Sequence, residues 1–379
     1  MPPLVCLPND PEAQLQASTM SRLVARTSSL QKPELELSER EQIILRAIIQ
    51  TYVLRAAPIG SHTLARMLAR TLRLSPATIR NVMAELEDRG YLTHPHTSAG
   101  RIPTDKGYRF YVDYLMHQGR LSQREEQTLR ENLSAVSGEL ALRTASRILG
   151  ELSHLLGVAQ LPSLRDLVIR RVELVPLSSQ RFAVVVDLDS AVVRTLTLET
   201  DVELNPGELS QLAQLLNERL SGRTLDFIRQ HFSMLLQERL SHPVLRLFAD
   251  SIEVLFAQHE SHRVYVAGAQ QLVQLPEFSS PDRFRAVIEL LENEEMIIHL
   301  LESSSDAPLY GVQVKIGHEL GDRQLTDYAL ISTRYRIGSA TYAIGVVGPK
   351  RMNYAKMMAL VGEVAGLLAR QQEHSPSVA

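Results

Sequence analysis

The 379-residue sequence predicts an α+β protein of several domains, and three observations support this class. Residues 38–103 carry three helix patterns followed by two short extended segments. Residues 167–198 show β-branched strand patterns, and a largely helical stretch separates them from further strands near the C-terminus. The sequence therefore predicts an N-terminal winged helix-turn-helix followed by a mixed body of helices and sheets.

The N-terminal helices are predicted from their start and stop signals. Ser38 and Glu41 form a capping box ahead of the first helix, and Ser61 is expected to cap a short second helix. The third helix is expected to begin after Ser75, whose side chain can accept bonds from free backbone N–H groups, and to end at Gly90. This order is that of a helix-turn-helix. The third helix of this segment is therefore predicted to be the helix that recognises DNA.

The two faces of this third helix differ in composition. The face predicted to be buried carries an apolar stripe at helical spacing, formed by Ile79, Val82, Met83 and Leu86. The opposite face is small and nearly uncharged, with Ala77, Asn81, Ala84 and Asp88 flanked by Thr78 and Arg80. A solvated helix face usually carries Glu and Lys pairs, so this composition favours a surface that enters a DNA groove.

After the third helix, residues 91–94 and 101–103 read as short strands around a loop with small and hydroxyl residues. Three helices followed by a hairpin predict a winged helix. Its wing would bring Thr97, Ser98 and Arg101 to the phosphate backbone or the minor groove.

Groove chemistry assigns the remaining candidate DNA contacts. Arg80 is assigned to a guanine edge, Asn81 to an adenine edge, and Ala77 or Ala84 to a thymine methyl group. The hydroxyl side chains expected to fix the helices on phosphates are Ser61, Thr63, Ser75 and Thr78. The alternative for Arg80 is a solvated or salt-bridged side chain.

Charge is concentrated in the same segment. Residues 38–116 hold eleven Arg or Lys against seven Asp or Glu, a net charge of +4, whereas the whole chain carries −3 and the remainder therefore −7. A basic module on an acidic body is typical of a localised nucleic-acid site. One winged helix contacts few base pairs, so we expect a homodimer on an inverted repeat of double-stranded DNA. A structural helical module that packs on protein is the alternative, and it predicts no salt-dependent DNA binding.

Composition also bears on the compartment of the protein and on whether it spans a membrane. The single Cys6 cannot form an internal disulfide or a Cys-rich metal site, which favours a reducing cytoplasm. No apolar run approaches the length of a membrane span. Residues 1–37 lack periodicity and a secretory signal, so we expect a disordered extension, with Met20 as an alternative start.

Candidate catalytic and metal pairs have simpler interpretations. Asp187 and Asp189 are expected to mark a turn, and His94 and His96 have no third ligand nearby. The glycine-rich residues 345–349 lack the Lys-Ser/Thr pair of a phosphate loop and are expected to turn a strand into the last helix. An enzyme, a cofactor and a metal site are therefore not expected.

The body is predicted from alternating strand and helix patterns. A helical run at 140–156 precedes strands at 167–176, 182–188 and 192–198, which suggest a meander, and helices at 206–220, 225–240 and 243–256. A strand at 264–268, a helix at 281–301, strands at 311–316, 328–335 and 341–347, and a helix at 354–368 follow. This order suggests one sheet domain split by an insertion with boundaries near residues 206 and 302.

Several motifs resemble the heat-inducible transcription repressor HrcA family. The most specific are LSPATIRN at residues 74–81 and PHTSAGRIPTDKGY at 95–108, and a weaker one is GVVGPKRMNY at 345–354. The resemblance covers nearly everything from Ser38 to Arg370. His62 stands where the family tends to carry Arg, which weakens one expected phosphate contact at neutral pH. The N-terminal extension and residues 317–320 also depart from the family pattern.

The resemblance implies a division of the chain and a regulatory role. It implies a DNA-binding domain at 38–116, a GAF-like domain at 117–205 and 302–372, an inserted dimerising segment at 206–301 and a tail at 373–379. It further implies a repressor of chaperone operons that binds a CIRCE-type inverted repeat and is kept active by a GroEL-type chaperonin. The alternative is an effector sensor, in which the GAF-like domain binds a small ligand that alters DNA affinity.

Overall fold

The structure, a computed structural model, describes residues 36–96, 100–163, 167–189, 192–203, 205–236, 242–257, 263–278, 281–302, 309, 311–338 and 340–373. Within these ranges the helices are α1 Glu39–Arg55, α2 Ser61–Leu68, α3 Pro76–Asp88, α4 Asp105–Phe110, α5 Gln123–Ser134, α6 Gly138–Ser153, α7 Pro206–Leu220, α8 Leu225–Leu235, α9 Pro243–Ala257, α10 Ala269–Leu272, α11 Pro281–Glu292, α12 Glu294–Glu302 and α13 Tyr354–Glu373.

The strands are β1 Leu92–Thr93, β2 Ile102–Pro103, β3 Leu156–Gln160, β4 Ile169–Pro176, β5 Arg181–Leu188, β6 Val192–Glu199, β7 Val264–Ala267, β8 Gln313–Ile316, β9 Tyr328–Ile337 and β10 Ala340–Pro349. The described residues form antiparallel sheets and helices, so the predicted α+β class is confirmed. No helix in these ranges is long and apolar enough to cross a lipid bilayer.

Helix α1 begins at the predicted capping box. The backbone N–H of Ser38 donates to the Glu41 carboxylate at 2.7 Å, and the N–H of Glu41 donates to the Ser38 hydroxyl at 3.4 Å. The predicted cap of α2 is wrong, because Gly60 is the N-cap residue and forms no side-chain cap bond. Ser61 instead lies inside the first turn of α2, where its side chain is buried.

The end of the predicted N-terminal extension is ordered. Residues 1–35 lie outside the described residues. The prediction of a disordered segment included Glu36 and Leu37, and the structure differs from it at these two residues. Leu37 is buried in the hydrophobic core, and the Glu36 carbonyl accepts a bond from the Arg89 guanidinium. An apolar residue next to a helix cap can pack against the helices behind it, which the lack of periodicity upstream did not reveal.

The body is built on a five-stranded antiparallel sheet with the strand order β7-β3-β10-β9-β8. Helices α6 and α13 pack against this sheet. Strand β3 was not predicted, because Leu156 was assigned to the preceding helix; α6 ends at Ser153, and His154 turns the chain with a φ of 57°. A buried strand that follows a buried helix continues its apolar pattern, so periodicity alone cannot separate them.

Residues 345–349 also differ from their prediction. They do not turn the chain toward the last helix but lie within β10, which pairs with β9 as far as Pro349 and Tyr328. Gly345 permits a close approach of these strands, since a Cβ there would lie 2.5 Å from the Ile331 carbonyl oxygen.

The predicted meander is confirmed, but it forms a sheet of its own. Strands β4, β5 and β6 pair in that order, and the Asn217 side chain of α7 bonds the backbone N–H and carbonyl of Val172 at 2.8 and 2.7 Å. Asp189 accepts the Val168 N–H at 3.0 Å at the end of β5, in agreement with the predicted turn.

The sheet topology shows where the chain leaves and rejoins the main sheet, whereas the predicted domain boundaries near residues 206 and 302 remain a prediction. Strands β3 and β7 are antiparallel neighbours, so the chain between residues 161 and 263 leaves the five-stranded sheet and returns to it. The separate unit contains the meander together with α7, α8 and α9, whereas β7 and α12 contact the main sheet. Strand patterns in a sequence do not reveal which sheet a strand joins, so the sequence did not show that the meander forms a sheet separate from β3.

Other predicted boundaries shift by a few residues. The helix predicted at 225–240 ends at Leu235, and the helix predicted at 281–301 is interrupted at Asn293. The Asn293 side chain accepts the Met296 N–H at 3.0 Å, so it caps α12 and separates it from α11.

Glu125 links α5 to α13 and gives the fold a pH dependence. Its carboxylate lies 2.7 Å from the Lys356 ammonium and accepts the Ser122 N–H at 2.9 Å. The bond from Lys356, and next the bonds from Ser122, lower the pKa of Glu125 to about 2. A lowered folded-state pKa stabilises the fold above the unfolded value near 4.5, and this contribution is lost as pH falls toward 2.

We therefore expect Glu125→Gln to flatten the acid limb of the stability profile. The free energy of unfolding in urea, measured from pH 7 to pH 2, should decline less steeply between about pH 5 and 2 than in the wild type. Glu131→Gln, at an exposed position on the same helix, is the matched control. An acid limb that Glu125→Gln leaves unchanged would contradict the assignment.

Candidate nucleic-acid interface

Helix α3 has the geometry that its sequence predicts. The Ser75 hydroxyl caps the helix by accepting the Thr78 N–H at 3.1 Å, and Pro76 occupies the first turn. The predicted stripe is buried, with Ile79, Val82, Met83 and Leu86 at most 5% exposed. The stripe packs against α1 and α2, so the opposite face of α3 points to solvent.

That opposite face is open and carries the predicted base-reading residues. Ala77, Arg80, Asn81 and Ala84 are all exposed. Within the described ranges Arg80 forms no ion pair, so the salt-bridged alternative finds no partner there. A guanidinium, an amide and two methyl groups on one surface can offer hydrogen bonds and apolar contact to base edges.

The residues predicted to contact phosphates differ in their exposure to solvent. Ser75 and Thr78 are bonded to each other through their hydroxyls at 2.9 Å at the exposed N-terminus of α3. His62 is exposed and Thr63 is half-buried. The Ser61 side chain is only 7% exposed, so it is poorly placed to reach a phosphate. Thr97 and Ser98, the predicted wing contacts, lie outside the described residues.

Arg101 has a local partner that the sequence did not suggest. Its guanidinium lies 2.6 Å from the Glu87 carboxylate of α3, and His94 contacts the same carboxylate. These contacts attach the β1–β2 hairpin to α3. The Arg101 charge is therefore partly neutralised, and we expect it to position the hairpin more than to bind phosphate.

The hairpin is also fixed to the loop between α1 and α2. Ile59 and Arg101 exchange two backbone hydrogen bonds of 3.0 and 2.9 Å. Gly100 permits this approach, because a Cβ on it would lie 2.5 Å from the Ile59 backbone. The predicted hairpin strands β1 and β2 pair as expected, with Leu92 opposite Pro103.

Sequence reasoning missed three arginines beside α3. Arg66 on α2, and Arg70 and Arg73 in the turn between α2 and α3, are exposed. None of them forms an ion pair with another described residue. Together with Arg80 they supply unneutralised positive charge next to the recognition face, as a phosphate-binding surface requires. The signal was available, since all three lie within residues 66–74, ahead of Ser75, in a module of net positive charge.

Among the described residues, no group of three or more His, Cys, Asp or Glu is arranged to hold a metal ion. His94, one of the two histidines considered for a metal, is engaged by Glu87.

Comparison with known proteins identifies a family and several relatives of this chain. Residues 139–358 match the family described as HrcA protein C terminal domain. A heat-inducible transcription repressor HrcA of Chlorobium phaeobacteroides (strain BS1) is 38% identical, over 88% of this chain and 98% of the relative. The repressor HrcA of Symbiobacterium thermophilum is 35% identical, again over 88% of this chain and 98% of the relative.

A solved structure shares the overall arrangement. It is titled "Crystal structure of a hypothetical protein at 2.2 A resolution", and it is 25% identical with a TM-score of 0.58, covering 89% of this chain and 100% of its own. The sequence relationship defines the class, a transcription repressor and not an enzyme. The chain belongs to the HrcA family of heat-inducible transcription repressors.

Proposed function

We propose that the chain is a sequence-specific DNA-binding repressor of heat-shock chaperone operons. It acts in the cytoplasm as a homodimer on an inverted-repeat operator of the CIRCE type. The observation that carries this proposal is the exposed face of α3. Arg80 and Asn81 are exposed there, on the side of the helix opposite the buried stripe. Residues 38–116 then form a winged helix-turn-helix domain, with α3 as the recognition helix and the β1–β2 hairpin as the wing.

The body is proposed to provide dimerisation. We assign the five-stranded sheet and its helices to a GAF-like domain, and the unit of β4 to β6 with α7 to α9 to the inserted dimerising segment. Large apolar side chains are exposed on the strands and turns of this unit, and Leu177, Val193 and Val202 are each at least half exposed. Such surfaces are typical of association sites, and a second copy of the chain is the proposed occupant.

The regulatory part of the proposal follows the family resemblance. A GroEL-type chaperonin is proposed to keep the repressor folded, so that heat-denatured proteins compete for it and repression falls. The test is operator binding by the purified chain with and without added chaperonin. Binding should rise when chaperonin is added, and full binding that is indifferent to chaperonin would reject this part.

The DNA-binding proposal is tested by selection from random-sequence DNA duplexes with the full-length chain. We expect enrichment of one inverted repeat. Enrichment of no sequence, or binding that does not depend on salt, would instead support the structural-adaptor alternative.

The three arginines beside α3 predict a specific salt dependence. Arg73→Ala should weaken binding to the selected duplex and lower the slope of log affinity against log salt by about 1, because one phosphate contact is lost. Arg70→Ala should behave alike. The control is Arg147→Ala, an exposed arginine of α6 that is paired with Glu151 at 2.7 Å. Unchanged slopes for both Arg70→Ala and Arg73→Ala would place these residues outside the interface.

A second candidate function is effector sensing, and one cleft favours it. The cleft has a volume of about 740 Å³ and lies between the N-terminal module and the body, with Tyr52, Tyr108, Phe278 and Lys350 among its lining residues. This volume lies within the range of small-molecule sites. The Tyr108 hydroxyl is buried and has no hydrogen-bond partner in the described part of the chain. Burial raises the pKa of Tyr108 well above 10, so its hydroxyl remains a donor at neutral pH.

This second function is tested by a thermal-shift screen of cell metabolites. A saturable rise in melting temperature that also changes DNA affinity, and that Tyr108→Phe weakens, would favour the sensor. Absence of any such shift would leave the repressor without a small-molecule effector.

A further inference from the structure

Two sequence motifs that are far apart in the chain meet where the N-terminal module joins the body. Asp105, in the motif of residues 95–108, lies 2.6 Å from the ammonium of Lys350, in the motif of residues 345–354. Both side chains are about three-quarters buried. The second Asp105 oxygen accepts the backbone N–H of His318 at 3.2 Å. The carboxylate is therefore held by two separate segments of the body.

Arg351 forms a second connection at the same junction. Its guanidinium donates to the carbonyl of Val53 in α1 at 2.6 Å, and it pairs with the Glu277 carboxylate, with one N–O distance of 3.1 Å. Side-chain exposure is 14% for Arg351 and 20% for Glu277. One body residue thus connects the first helix of the DNA-binding module to the short 3-10 helix Pro276–Phe278.

A third connection comes from the module side. Arg109 of α4 donates to the Glu319 carboxylate at 2.8 Å and to the Val314 carbonyl at 2.6 Å. The rings of Tyr108 and Tyr354 pack beside it with centroids 5.8 Å apart. Gly317 permits the close approach of Asp105 described above, because its φ is 55° and a Cβ there would collide with the Asp105 carboxylate.

These contacts are suited to fixing the orientation of the module on the body. Partly buried ion pairs contribute little net stability, but loss of one partner leaves a charge without compensation, so they can fix a geometry. Helix α4 follows β2 directly, so the angle at which α4 meets the body also sets the angle of the hairpin and α3. In a dimer, this angle sets the distance between the two recognition helices. That distance must match the spacing of the two half-sites on the DNA.

We propose that Asp105, Lys350, Arg351 and Glu277 are positioning residues that hold the DNA-binding module at the angle demanded by one operator spacing. The inference rests on the proposed DNA-binding function. It assigns a role to residues that lie outside the proposed DNA-contacting face of α3.

The first test uses the inverted-repeat duplex selected by the wild-type chain, versions with one to three base pairs added or removed at its centre, and an isolated half-site. Lys350→Ala and Arg351→Ala should lose about tenfold or more in affinity for the original duplex. Their affinity for the half-site should be unchanged and their preference for one spacing should flatten. The exchanged pair Asp105→Lys with Lys350→Asp should recover part of the loss, whereas each single exchange should not.

The second test needs no DNA. Arg120 is exposed in the segment between α4 and α5, next to Gly119, which lies against the Ala355 carbonyl. Trypsin cleavage after Arg120, followed by mass spectrometry, should be several-fold faster in Lys350→Ala than in the wild type or in Arg147→Ala. Circular dichroism serves to confirm that each variant is folded.

The outcomes distinguish a failure of the positioning role from a failure of the proposed DNA-binding function. If the wild type selects an inverted repeat but the variants keep its spacing preference and its cleavage rate, the positioning role is wrong and the proposed function stands. If the wild type selects no DNA, the proposed function fails and the operator-spacing role fails with it. Cleavage rates then still report whether these pairs hold the module against the body.

Discussion

Arg80→Ala is expected to weaken binding to the operator by about 1–3 kcal/mol, a loss of roughly fivefold to one-hundred-and-fifty-fold. Arg80 is exposed on α3 and forms no ion pair among the described residues, so its guanidinium is available for a guanine edge. A bidentate contact of this kind discriminates between bases as well as adding affinity. The variant should therefore also lose its preference at one base step.

The measurement is a titration of the wild type and the variant against the selected duplex and against duplexes with single base changes. Arg147→Ala, far from α3 in the chain and without a proposed DNA contact, is the control. Equal weakening on every duplex would make Arg80 a phosphate contact, and no weakening would remove α3 from the interface.

Ile79→Ala is expected to lower the free energy of unfolding by about 2–5 kcal/mol, because it opens a cavity under the recognition helix. Ile79 is fully buried, and the stripe to which it belongs packs against α1 and α2. The same stripe sets the direction of the exposed face, so operator binding should fall together with stability.

This loss is measured by chemical denaturation of the wild type and the variant. The dependence of the free energy of unfolding on denaturant concentration is fitted with one common slope. Glu85→Gln, at an exposed position on the same helix, should change stability by less than about 0.5 kcal/mol. A loss below about 1 kcal/mol for Ile79→Ala would contradict the packing of α3 described above.

The parts of the fold that were predictable depend on local signals. The cap at Ser75, the proline after it and the spacing of Ile79, Val82 and Leu86 lie within one helix, so the sequence contained all of the information. The meander was predictable for the same reason, since its three strands are consecutive and separated by turn residues.

The parts that were missed depend on contacts between distant residues. Strand β3 finds its partners β7 and β10 more than a hundred residues away, and no periodicity encodes this pairing. The partner of Arg101 is Glu87, and nothing in the order of residues shows that the hairpin returns to α3. At the candidate site, the cap of α3 and its buried and exposed faces were predictable from the sequence, while the contacts of the neighbouring hairpin were not.

The junction shows the same limit most clearly. Both motifs were recognised in the sequence, but their contact through Asp105 and Lys350 joins positions separated by 245 residues. A charged pair of this kind becomes visible only once the fold brings Lys350, which follows β10, to Asp105 at the start of α4. Its role in orientation could therefore be inferred only from the structure.

The central claim is that the exposed face of α3, presented twice by a dimer, recognises an inverted repeat. Chromatin capture with the full-length chain from living cells, before and after a heat shock, tests this most directly. We expect one palindromic promoter sequence upstream of chaperone operons, with lower occupancy after heating and with loss of capture for Arg80→Ala. Recovery of no shared palindromic sequence in unstressed cells would contradict the account.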